Sequence, residues 1–154
     1  MMKRFKMAAV LATGLGTFAT IAAAGSDGEK MTVTGEMIDT WCYYSGVMGG
    51  PDAVVGSAHH TCALWCSAGG IPVGILTDDG TVYMVLRIGD DSTSNGGDAA
   101  FAMASDVVTV EGTVYRRDGI NYITVDTVVD NAGIQNVNHP DFGNVPSFSI
   151  PELN

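Results

Sequence analysis

From Met31 to Cys42 the chain reads MTVTGEMIDTWC, in which Met31, Val33, Gly35 and Met37 alternate with polar neighbours before Ile38. A period of two predicts a half-buried strand, and Gly35 inside it predicts a bulge or tight bend. Residues 43–56 hold Gly46, Gly49, Gly50, Pro51 and Gly56, and read as a long loop. Ser57 to Ala68 then reads as a short helix, because Ser57 is a good N-cap and Gly69-Gly70 is a stop signal. The runs IPVGILT and TVYMVLR are separated by Asp78-Asp79-Gly80, which predicts a hairpin with glycine available for positive φ. After the polar loop 89–97, a short helix is expected over Asp98–Ala104. A second hairpin follows, VVTVEGTVYRR and INYITVDTVV around Asp118-Gly119, with Val108, Val110, Gly112 and Val114 on one parity.

The predicted order is strand, loop with helix, strand, strand, short helix, strand, strand. Five strands with a helix between the third and fourth is the order of a five-stranded OB-like barrel, an all-β fold with one or two short helices. A five-stranded sandwich fits the same order of elements. The domain is expected over residues 30–130, with the helix at 57–68 inserted between its first two strands. Residues 131–154 carry Pro140, Pro146 and Pro151 and no periodicity, and read as an extended tail, draped over the barrel or open to a protein partner through Phe142, Val145, Phe148 and Ile150.

The beginning of the chain changes the picture of where this domain works. Lys3, Arg4 and Lys6 precede an uncharged apolar run from Met7 to Ile21, followed by Ala22-Ala23-Ala24. That is the pattern of a signal peptide cut before Gly25, so a periplasmic or secreted protein is expected. The apolar run is shorter than a membrane-spanning helix and is interrupted by Gly14 and Gly16, so stable membrane insertion is not expected. Beyond residue 24 only Lys30, Arg87, Arg116 and Arg117 oppose 17 acidic residues, a net charge of about −13. Binding to nucleic acid or to anionic lipid runs on Lys and Arg, and this composition excludes both as partners.

His59, Cys62 and Cys66 stand at i, i+3 and i+7 in the predicted helix, within about 60° of one another on a helical wheel. His60 points about 100° away from His59 and is the poorer candidate. Cys42 closes the first strand, where an inserted helix would pack back. Three thiolates and an imidazole complement a tetrahedral zinc site or a lower-coordinate Cu(I) site, so Cys42, His59, Cys62 and Cys66 are the candidate metal ligands for Cu(I) or Zn(II). An exported small domain is also where cysteines pair, and three cysteines leave one over. A disulfide-stapled interaction module, or a subunit of a larger exported complex, is therefore the competing reading. A bridge between Cys62 and Cys66 inside one helix is geometrically poor except at a frayed end. Met37, Met48, Met84 and Met103 are candidate thioether donors or core filler. Trp41 and Trp65, beside Cys42 and Cys66, are candidate shields for Cu(I) or packing residues. Glu36, Asp39 and Glu111 are expected on the wet face of their strands, and His139 in solvent. A nucleophilic cysteine lacks a third orienting group in this reading, so no catalytic residue is assigned.

The string His59-x-x-Cys62-Ala63-x-x-Cys66, with Gly70-Ile71-Pro72-Val73-Gly74-Ile75-Leu76-Thr77 and Gly80-Thr81-Val82-Tyr83 after it and Thr34-Gly35-Glu36-Met37-Ile38-Asp39 before it, resembles a group of uncharacterised small exported bacterial proteins. The likeness covers residues 32–88 and continues in Val108–Val128. It implies an OB-like fold, implies that Cys42, His59, Cys62 and Cys66 belong together, and implies no activity. The chain lacks the Cys-x-x-Cys-His motif of covalent haem attachment. It also lacks the helix-rich alternation of thioredoxin-like copper chaperones, which share the Cys-x-x-x-Cys spacing.

Overall fold

The computed structural model describes residues 28–90 and 97–139. The proposed signal segment and the apolar residues Phe142, Val145, Phe148 and Ile150 lie outside the described residues. Five strands, β1 (Glu29–Asp39), β2 (Val73–Leu76), β3 (Val82–Ile88), β4 (Val107–Arg117) and β5 (Ile120–Asn131), close into a barrel in the order β1-β2-β3-β5-β4. Neighbours are antiparallel except β3 and β5, which run parallel. This is the all-β, OB-like barrel expected from the order of elements. Closure removes the open strand edges that a sandwich would have kept.

The alternation explains the core. Val33 and Met37 from β1, Val73 and Ile75 from β2, Val85 and Ile88 from β3, Val108, Val110 and Val114 from β4, and Ile123 and Val125 from β5 form one buried cluster. Glycine supplies the bend in β1. The first part of the strand pairs with β4, up to Glu36 opposite Val107, and its end from Glu36 to Asp39 pairs with β2. At the changeover a Cβ on Gly35 would collide with the carbonyl of Leu76, so only glycine allows β1 and β2 to approach there. The second hairpin turns through Asp118 (φ 52°) and Gly119 (φ 81°), the paired positive dihedrals of a tight two-residue turn.

Among the described residues three helices complete the fold: α1 (Thr40–Ser45), α2 (Gly56–Ala68) and α3 (Gly97–Ala102), with a 3₁₀ turn at Pro51–Ala53. The first of these corrects the expected extension of the strand to Cys42. Asp39 ends β1 and caps α1, its Oδ1 accepting from the backbone N–H of Trp41 at 2.9 Å and of Cys42 at 3.2 Å. Gly46 ends that helix in the left-handed region (φ 62°), its N–H donating to the Cys42 carbonyl. Ala63 and Leu64 of α2 pack with Ala104 and Phe101 at the end of α3, which lays α2 against the barrel.

The beginning of α2 is held from far along the chain. Val55, its N-cap residue, provides no side-chain bond. Instead the Asn136 carbonyl accepts from Ser57 N at 2.8 Å and Asn138 Oδ1 accepts from Ala58 N at 2.8 Å. Asn138 Nδ2 donates to the carbonyls of Asp52 and Val55. Residues 136–139 thus satisfy orphan N–H groups at the helix start, a role usually taken by a local Ser, Thr or Asp. His139 is exposed, as expected, and its backbone N–H joins this latch by donating to Ser57 Oγ at 2.9 Å.

Candidate metal centre

Four donor side chains converge where β1 passes into α1 and α2 crosses above it. The nearest donor atoms of Asp39, Cys42, Cys62 and Cys66 all lie within 4.8 Å of one another, a group that could hold a metal ion. Asp39 and Cys42 form the buried floor, whereas Cys62 and Cys66 are half-buried. All three cysteines are free thiols. The cluster is assembled by two short-range devices. Asp39 and Cys42 are placed by the cap of α1, and Cys62 and Cys66 stand one turn apart on α2, their sulfurs 3.8 Å apart. A tetrahedral ion with Zn–S bonds of about 2.3 Å sets its sulfurs about 3.8 Å from each other, so this pair already has the required spacing.

The fourth donor in the group is Asp39, a residue expected on the wet face of its strand. It is 1% exposed. His59, the expected fourth ligand, stands behind it. The His59 ring is buried, with Nδ1 2.9 Å from the Ala53 carbonyl oxygen and Nε2 3.4 Å from Asp39 Oδ2. Because a carbonyl only accepts, Nδ1 carries the hydrogen of that bond. His59 is thereby anchored on the 3₁₀ turn, with Nε2 set against the carboxylate at the centre of the cluster. His60, on the other side of α2, has its Nδ1 2.9 Å from the Ala104 carbonyl and helps to anchor α2 to the end of α3. Glu36, also expected to be wet, is buried and accepts from Gly56 N at the start of α2, while Glu111 is exposed. Met37 and Met103 belong to the barrel core, and Met48 is exposed beyond α1. Trp41 and Trp65 are 58% and 54% exposed, which sets both indoles outside any core.

The electrostatics of the cluster follow from one buried carboxylate among thiols. Burial pushes the Asp39 carboxyl up, but the thiols of Cys66 and Cys42, the Cys42 N–H and His59 together outweigh it and hold the group below its ordinary value. The same proximity acts in reverse on sulfur. Burial first, and then the Asp39 charge, push the Cys42 thiol up to about 12, and the same two causes raise Cys66. Without a metal these two sulfurs are protonated at neutral pH and Asp39 is charged. The chain matches no protein-family model, no curated protein and no solved structure. Among the described residues no helix is long and apolar enough to cross a membrane.

Proposed function

We propose that this chain is an exported metal-binding protein, a carrier or accessory subunit that holds Cu(I) or Zn(II) at Cys42, Cys62, Cys66 and Asp39. The observation that carries the reading is the convergence within 4.8 Å of three thiols from two helices and a carboxylate from the end of β1. Thiolates select soft or borderline ions, and three of them with one oxygen satisfy either a three-sulfur Cu(I) site or a four-donor Zn(II) site. His59 takes the part of an outer partner that orients a ligand carboxylate. Without a metal, burial and the Asp39 charge hold Cys42 and Cys66 as thiols. A metal ion reverses that balance by displacing the protons.

The test is loading of the reduced, purified chain with each ion separately, with metal and thiols counted on the same sample. One ion per chain that shields all three cysteines from alkylation supports the reading. Substituting Asp39→Asn separates the ions: Zn(II), which needs the oxygen donor, should be lost far more than Cu(I). The likeness to small exported bacterial proteins supports export and the grouping of the cysteines as parts of the same proposal. Identifying a signal-peptide cut at residue 25 by N-terminal sequencing of the secreted chain tests that part.

A further inference from the structure

The half-buried pair on α2 differs from Cys42 in two ways that matter for oxidation. Cys62 and Cys66 are partly open to small reagents, and their sulfurs lie 3.8 Å apart, whereas Cys42 is 3% exposed beneath them. In a regular helix, residues four apart have Cα atoms about 6.2 Å from each other, inside the range that disulfides span. Their Cβ atoms, at about 5–6 Å, are farther apart than the 3.5–4.5 Å that a bridge requires. The last turn must therefore loosen before the sulfurs can join. Cys66 sits in that last turn, two residues before the end of α2 at Ala68. Gly69 and Gly70 follow it, the latter at φ 86°, so the chain beyond the turn has the freedom to follow.

Resting on the metal-binding reading above, we propose that Cys62 and Cys66 form a reversible oxidation site, closed as an intrahelical disulfide by low-molecular-weight disulfides, and that closure withdraws both sulfurs from the metal. The chemistry is two exchanges. The Cys62 sulfur, having lost its proton to solvent, attacks one sulfur of the small disulfide, whose S–S bond breaks and releases one thiolate that takes up a proton. The Cys66 sulfur, likewise deprotonated, attacks Cys62 Sγ and expels the second small thiolate, which is protonated in turn. Two protein thiols are oxidised to one disulfide, and one small disulfide is reduced to two thiols. A bridge that requires a loosened helix end is strained, and strained, accessible disulfides are the easily reduced ones. The closed form is a temporary state and not a structural staple.

The test uses the full metal-free chain, reduced and then incubated with oxidised glutathione, alkylated and mapped by mass spectrometry. A Cys62–Cys66 bridge with Cys42 alkylated after denaturation is the expected result, with metal uptake reduced at least tenfold and restored by dithiothreitol. The Cys42→Ser variant should form the same bridge. A bridge that contains Cys42, glutathione left on either α2 cysteine, three unchanged thiols, or full metal uptake by the bridged chain overturns the proposal. Should the reduced chain bind no metal at all, the functional reading falls, while the mapped bridge still decides whether this pair is the oxidation site.

Discussion

Asp39 Oδ2 lies 3.4 Å from His59 Nε2, with both side chains almost wholly buried, while Oδ1 of the same carboxylate caps α1. One carboxylate thus ends a strand, starts a helix, meets an imidazole on another helix and borders three thiols. The site and the fold share a residue, which makes the consequences of altering it specific.

Replacing His59 by Gln should leave the stoichiometry of metal binding unchanged and weaken affinity about 10- to 100-fold, the range seen when an outer partner of a ligand is removed. Competition against a chelator of known strength measures this. A chain that loses its metal altogether would instead make His59 a ligand.

Metal affinity should rise with pH across the neutral range. Binding must displace protons from Cys42, held at about 12, and from Cys66, also raised, whereas Asp39 is already ionised. The protons displaced from Cys42 and Cys66 alone correspond to a rise of at least about 100-fold per pH unit. Proton release measured by calorimetry in buffers of different ionisation enthalpy checks the count.

The metal-free, reduced protein has a stability profile with two edges. Asp39 has its folded pKa depressed, so its contribution is present above the unfolded value near 3.8 and is lost as pH falls through the folded value. Cys42 has its folded pKa raised, so its contribution is complete below the unfolded value near 9.0 and is lost as pH rises towards about 12. Denaturant midpoints taken from pH 2 to pH 11 should fall at both ends, and the alkaline fall should shrink in Cys42→Ser.

Removing the Asn138 side chain should cost about 0.5–2 kcal/mol, the usual cost of a lost helix cap, although the residue lies 80 positions from Ala58. Chemical unfolding of Asn138→Ala measures it, and faster amide exchange at the start of α2 locates it.

The barrel was legible because its signals are local. Alternation in Val108–Val114 marks the inward face, Asp118-Gly119 and Asp78-Asp79-Gly80 mark the turns, and Gly35 marks the bend. Helix α1 was hidden by its composition: Trp41, Cys42, Tyr43 and Tyr44 read as strand or loop, and the six-residue helix shows itself only when Asp39 is taken as a cap and Gly46 as a stop. The place of His59 was hidden for another reason. A helical wheel reports direction and not height, and at about 1.5 Å per residue His59 stands roughly 10 Å along the axis from Cys66. Sharing a face did not bring the His59 ring into the group of converging donors. Asp39 carried a different ambiguity, since an acid at the end of a strand reads the same whether it faces water or thiols. The latch from Asn136 and Asn138 to α2 joins distant parts of the chain, and no local pattern announces it.

Native chain purified in the reduced state, or reconstituted with Cu(I) or Zn(II), should carry one metal ion per chain, and removing the metal should expose three titratable thiols. A chain with no bound metal that keeps a single reactive thiol under the same conditions would contradict the account and leave a disulfide-stapled module in its place.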